Sequence, residues 1–203
     1  MQKNKLIKKY NKQVKMYEKN RNNPTLAPWR REILKGLQGK VLEVGVGAGA
    51  NFAFYDKASI HITGVDFSPE MLKSARKAAD SHQVNTELLL KNVENLDFES
   101  NSFDHIVSTL SLCSYQNPAG VLAKFNKWCR QDGSIRLLEH GLSSNKFLSL
   151  SQKAIDPIFT KISGCHCDRD ILQLVKKANI KVDRVDRYWS DIVYLIWAKP
   201  SVN

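Results

Sequence analysis

The 203-residue sequence predicts an α/β domain, a mostly parallel sheet with helices on both faces. Three observations carry that expectation. Short runs rich in valine and isoleucine alternate with helical patterns from residue 39 onward, as successive βα units do. The first run, Val41-Leu42-Glu43-Val44, enters a loop with glycine at every second position, Gly45, Gly47 and Gly49. A second run ends in an acid, Asp66, about twenty residues beyond that loop.

Taken in order, residues 3–19 read as an amphipathic helix. Leu6, Ile7, Tyr10, Val14 and Tyr17 recur at helical spacing, and lysines crowd the remaining surface. Arg21-Asn22-Asn23-Pro24 breaks that helix, and Pro28 suits the first turn of a second one running to about Leu37. The glycine loop follows the first strand, and glycine is required there if a ligand must touch backbone. Residues 60–66 form the next strand. Ser68 as N-cap and Pro69 at the first helical position then start a helix. Residues 87–91 and 102–109 read as a third and a fourth strand. Asn117 and Pro118 open a helix to about Cys129, and Gln131-Asp132-Gly133 turns into a fifth strand over 134–140. Residues 146–163 read as a mostly apolar helical insertion interrupted by Pro157, and Asp168 as the cap of a helix to about Ala178. Residues 182–187 and 192–198 close the chain as a hairpin with its turn at Trp189-Ser190.

The net charge of +11 is unevenly placed. Residues 1–40 hold twelve Lys or Arg against Glu18 and Glu32, whereas residues 41–203 are almost neutral. A protein gripping nucleic acid across a whole face would not be charged this way. No apolar run approaches the ~20 residues that cross a bilayer, and no signal-peptide core follows the lysine-rich start, so a cytoplasmic location is expected. Cys113, Cys129, Cys165 and Cys167 lack CxxC spacing and read as reduced thiols. Cys165-His166-Cys167 places candidate ligands at adjacent positions that chelate poorly, so no metal is expected.

Gly45-x-Gly47-x-x-Ala50 also satisfies the relaxed dinucleotide fingerprint. Glu43, two residues before the first glycine, argues otherwise. At ~4 Å and an effective dielectric of ~20, a carboxylate repels a pyrophosphate by several kcal/mol. A ligand carrying an ammonium and a sulfonium is attracted instead. Glu43-x-Gly45-x-Gly47-x-Gly49 resembles the first motif of class I S-adenosylmethionine (SAM) methyltransferases. Residues 109–114, Leu138-Glu139-His140-Gly141 and residues 164–170 look like the small-molecule branch of that family. It holds the methyltransferase-like alkyl thiol methyltransferases and bacterial phospholipid and quinone methyltransferases. The resemblance implies a Rossmann-like, seven-stranded sheet whose last strand is antiparallel. No Asn/Asp-Pro-Pro-Tyr/Phe tetrad follows the fourth strand, which sets aside nucleic-acid and protein-amide acceptors.

The resemblance further implies SAM as cofactor and a role for each matching residue. Gly45, Gly47 and Gly49 pass the cofactor close to backbone, Glu43 orients its amino-acid end with Asn51 beside it, and Asp66 holds the ribose. Phe67, Ser68 and Met71 border the adenine, with Asn92 and Val93 contacting it; Asn92 stands where many relatives have Asp. Thr109, Leu110 and Ser111 line the methionine portion. His140 is the first candidate base toward the acceptor and Tyr10 the second, with His166 and Asp168 behind them. Phe147, Leu148, Leu150, Ile155, Ile158 and Phe159 are expected to wall an apolar acceptor pocket. The acceptor is then a thiol, a quinol or an amine-headed lipid. Residues 1–37 form a basic arm that acts as a lid and contacts an anionic membrane, and residues 38–203 the methyltransferase domain. The rival readings are a nicotinamide-dependent oxidoreductase using the same loop, and a non-catalytic SAM-binding protein docking on membrane or RNA through its arm.

Overall fold

The computed structural model describes residues 3–201. The chain runs α1 (Lys3–Lys19), α2 (Leu26–Leu34), β1 (Gly39–Val44), β2 (Ile60–Asp66), α3 (Pro69–His82), β3 (Thr86–Leu90), β4 (Phe103–Thr109), α4 (Pro118–Trp128), β5 (Cys129–His140), α5 (Lys146–Ser163), α6 (Ile171–Lys177), β6 (Lys181–Tyr188) and β7 (Val193–Lys199). One seven-stranded sheet has the order β3-β2-β1-β4-β5-β7-β6. The first five strands are mutually parallel, and β7 pairs antiparallel with both β5 and β6. The strand order reverses between β1 and β4, so their carboxyl ends open a crevice in which such sheets take ligands.

Both sheet faces are buried. Leu122, Phe125 and Trp128 of α4 with Ile171 and Val175 of α6 cover one, and Ile33 and Leu34 of α2 with Ala75, Ala78 and Ala79 of α3 cover the other. Burial on two sides explains why β1 and β2 read as continuous apolar runs. The caps follow the sequence closely: Ser68 Oγ accepts the Met71 N–H, and Asn117 Oδ1 accepts that of Gly120.

Four features differ from expectation by more than a residue or in kind. The helix expected to reach Leu37 ends at Leu34, with Lys35 already extended. β5 begins at Cys129, because Gln131-Asp132-Gly133 forms a bulge where the β4 pairing shifts register. A Cβ at Gly133 would collide with the Asp104 carbonyl, which makes glycine necessary there. α5 passes through Pro157 unbroken; the carbonyl the ring leaves without a donor belongs to Lys153, an exposed residue. Asp170, not Asp168, caps α6, accepting the Gln173 N–H at 2.9 Å.

The apolar residues of α5 do not wall a pocket. Phe147 is 78% exposed, Ile158 64% and Ile162 71%, and α5 lends no residue to the central cavity. The helix meets the body through its opposite side, where buried Asp156 accepts the Cys167 N–H. α1 lies across the end of the sheet. Lys9 Nζ donates to the Thr160 carbonyl, Ser68 Oγ donates to Asn11 Oδ1 at 2.6 Å, and Arg21 Nε donates to the Ala48 carbonyl at 2.8 Å.

Candidate active site

A cavity of about 250 Å³ lies at the carboxyl ends of β1, β2, β4 and β5, roofed by Tyr10 and Tyr17 of α1. Its floor is the glycine loop, whose three glycines have three different reasons. At Gly45 (φ +68°) a Cβ would meet Ser111 at 2.5 Å, so the neighbouring loop fills that space. At Gly49 (φ +80°) it would strike the Phe52 ring at 2.8 Å. At Gly47 (φ +53°) nothing lies closer than 3.9 Å, and the vacant volume belongs to the cavity. Asp66 sets the loop: its Oδ2 accepts the Gly47 N–H at 2.9 Å and its Oδ1 that of Ser68 at 2.8 Å. Burial pushes its carboxyl up to about 6 against those two bonds.

One end of the cavity is a buried polar cluster. Glu43 accepts from Asn51 Nδ2 at 2.9 Å and from the Tyr55 hydroxyl at 2.8 Å. Burial raises its carboxyl to about 7, opposed by the Tyr55 bond and the Arg30 charge. Arg30, from α2, reaches the same cluster with Nη1 on Asn51 Oδ1 and Thr109 Oγ1. Its Nε is buried without a partner among the described residues. An unmade hydrogen bond there costs ~1–3 kcal/mol, and a ligand carboxylate is the chemistry that satisfies it.

The other end is aromatic and sulfur-rich. Tyr10 stands edge-on to Phe67 with ring centres 5.2 Å apart, and its hydroxyl lies 3.3 Å from Cys165 Sγ. Burial raises the phenols of Tyr10 and Tyr17 far above the ordinary range, so both stay protonated. The Cys113 thiol, donating to Cys165, leads the effects that hold the Cys165 thiol below its usual range. His140, the last residue of β5, lines the same end. Beneath it, buried Glu139 accepts from Ser108 Oγ and from the backbone N–H groups of Ser111 and Leu112. That carboxylate pins the turn after β4, where Leu110 adopts a left-handed φ of +53° against the cavity.

Of the residues expected in a site, Glu43, Gly45, Gly47, Asp66, Phe67, Met71, Thr109, Leu110, Ser111, Tyr10 and His140 line this one cavity. The rest fall behind or beside it. Asn51 is fully buried and holds Glu43, Gly49 packs on Phe52, and Ser68 is buried as a helix cap. Asn92 opens into a neighbouring groove beyond Phe67, its side-chain carbonyl capping the Glu94 N–H; Val93 borders a small void with Gly45 and Tyr115. His166 pairs with Asp156 at 2.8 Å, and neither it nor Asp168 lines the cavity. Tyr115, in the stretch after β4 expected to lie beside the transferable methyl, lines the cavity too, whereas sequence reasoning missed Arg30 and Cys165 as lining residues. Arg30 carried a signal: it shares a helical face with Ile33, Leu34 and Leu37, which places a cation toward the core.

Comparison with known proteins agrees with this geometry. Residues 42–137 match the methyltransferase domain family. Over 146 residues the chain is 30% identical to phosphatidylethanolamine N-methyltransferase of Cereibacter sphaeroides, covering 71% of each protein. It is 32% identical over 152 residues to thiol S-methyltransferase TMT1B of Rattus norvegicus, covering 71% of this chain and 62% of that one. Among solved structures, a putative methyltransferase of Haloferax volcanii in complex with its Trm112 activator superposes with a TM-score of 0.75 at 16% identity. That match covers 96% of this chain and 98% of the other and speaks for the fold.

Proposed function

The chain belongs to the SAM-dependent methyltransferases, and from that premise we propose that it acts on a small-molecule acceptor, a small amphipathic thiol. The observation that carries the proposal is the end of the cavity opposite Arg30, built from Tyr10, Tyr17, His140 and Cys165. Polarisable rings and sulfur suit a sulfur nucleophile on an apolar chain. The residues also fit SAM itself. The unpaired Arg30 Nε answers its carboxylate, and the open space at Gly47 admits it against backbone.

Bound SAM supplies a methyl on a positively charged sulfonium, so the protein's task is alignment and exclusion of water more than acid–base work. Arg30 and Glu43 hold the carboxylate and ammonium of its amino-acid end, with Asn51 fixing Glu43. Asp66 accepts from the ribose hydroxyls with the lone pairs that Gly47 and Ser68 leave free. Phe67 and Met71 flank the adenine, with Val93 and Asn92 at its outer edge and Ser68 and Gly49 shaping the loops. Thr109, Leu110 and Ser111 line the methionine chain, close to Gly45. His140 accepts the hydrogen bond of the acceptor's S–H at a ring nitrogen, and Tyr10 closes over it. A free thiol is already a few per cent thiolate at pH 7, which is the reactive form.

Residues 1–37 serve in this proposal as the lid that excludes water, and residues 38–203 as the catalytic domain of a cytoplasmic enzyme. The same arm rests on an anionic membrane. Its lysines and the exposed apolar stripe of α5 are the surfaces that suit a bilayer. That surface also favours a second acceptor, an amine-headed phospholipid. Transfer from methyl-labelled SAM to alkyl thiols, compared with phosphatidylethanolamine vesicles, separates the two. S-methyl product is expected; N-methyl lipid alone would overturn the thiol. Calorimetry with SAM and S-adenosylhomocysteine should show binding that Asp66→Ala abolishes.

A further inference from the structure

The four thiols are of two kinds. Cys129 donates to the carbonyls of Asp104 and Ser134, and Cys167 to that of Gln152, as buried structural thiols do. Cys113, which also reaches the Leu110 carbonyl at 3.7 Å, and Cys165 face each other, Sγ to Sγ at 3.0 Å. A ring nitrogen of His140 joins them: one ligand atom from each of the three lies within 4.8 Å of the others. We propose that Cys113, His140 and Cys165 form a binding site for a thiophilic divalent cation of the zinc class, with an open coordination position facing the cavity.

Two sulfurs and one imidazole nitrogen are a donor set for zinc, and three protein ligands leave the fourth position free for a reactant. The ligands come from three segments held against one another. Cys113 follows β4, His140 ends β5, and Cys165 follows α5 and Gly164. The His166 N–H donates to the Cys113 carbonyl at 2.9 Å, and the Arg169 guanidinium donates to the carbonyls of Leu112 and Tyr115. Two sulfurs ~2.3 Å from a tetrahedral ion stand roughly 3.8 Å apart, so Cys113 and Cys165 need separate by less than ~1 Å. Cys113 is buried behind the pair, while His140 and Cys165 line the cavity, which puts the open position on the cavity side.

The adjacency that argued against a metal in Cys165-His166-Cys167 does not apply, because only Cys165 takes part. His166 turns to Asp156 and Cys167 to Gln152. On loading, both thiols release their protons to solvent, two thiolates neutralise the dication, and His140 gives the ion the imidazole lone pair that faces the acceptor's S–H in the metal-free protein. The consequence for catalysis rests on the methyl-transfer proposal above. An acceptor thiol taking the open position gives its proton to solvent and is held as a metal-bound thiolate, raising the reactive fraction above the few per cent of a free thiol.

The test uses the full chain, reduced, stripped with chelator and without SAM, so it stands or falls apart from the methyltransferase reading. Titration with Co²⁺ is expected to give near-ultraviolet thiolate-to-cobalt charge transfer and the visible bands of a tetrahedral ion, displaced by Zn²⁺. Cys165→Ser should lose both signals, whereas Cys167→Ser and Asp156→Asn keep them. Absence of charge transfer in the unmodified chain, or its persistence in Cys165→Ser, overturns the proposal. A measurement needing no variant decides the same point. Zn²⁺ should protect Cys113 and Cys165 from alkylation as read by mass spectrometry, and unchanged labelling of both overturns it.

Discussion

Replacing Arg30 by lysine keeps the charge of the buried cluster and removes the Nε–H that no group among the described residues satisfies. A hydrogen bond to a charged partner contributes ~1.5–3 kcal/mol, so Arg30→Lys should weaken SAM binding roughly 10–100-fold by calorimetry. Glu43 gives a prediction in pH. With its carboxyl at about 7 in the ligand-free protein and an ammonium favouring the ionised form, SAM affinity should rise from pH 5.5 to 7. Glu43→Gln should flatten that rise. Stability of the ligand-free protein should slope the other way. A raised folded pKa means that Glu43's contribution is full below the unfolded value of ~4.3 and is lost as pH climbs through about 7. Melting temperatures with and without SAM should therefore diverge across that window. Gly47 and Asp66 were legible in the sequence because a backbone approach and a strand-end acid have fixed spacing. Arg30 was not, since its role depends on where α2 lies, although its position on an apolar helical face was visible.

At the scale of elements, the helical period of residues 146–163 is plain in the sequence, but the direction of its apolar face is not. Period gives a stripe without saying what covers it, and here Asp156 and Gln152 occupy the inward side. Phe147, Ile155, Ile158 and Ile162 share the outward stripe, with exposed Lys153 and Lys161 on the same helix. Changing Phe147, Ile158 and Ile162 together to serine should reduce binding to vesicles containing anionic lipid about tenfold or more, as each apolar side chain buried is worth ~1.5–3 kcal/mol. The melting temperature should hardly move, because exposed substitutions usually stay within ~0.5 kcal/mol. Added salt should weaken the residual binding that the lysines of α1 supply.

For the molecule as a whole, ligand binding is also a stability statement. At a hundred times its Kd, SAM should add about 2.7 kcal/mol, raising the melting temperature of a chain this size by about 5–10 °C. The order of the sheet was readable as a class, from alternating strands and helices and a closing hairpin. The bulge in β5 was not: Gln131-Asp132-Gly133 reads as a turn, and only the pairing with β4 on both sides carries the strand through it. That order also bears on how the protein is made. β7 sits between β5 and β6, so β5 has no partner on one side until residue 199 exists, 59 residues after His140. At ~5–20 residues per second, a ribosome leaves that strand edge open for roughly 3–12 s. Cys165 is the last residue of the cavity in chain order, so a nascent chain carries every side chain of the cavity 34 residues before the sheet beneath them is closed. Shielding an unpaired, largely apolar edge during those seconds falls to chaperones.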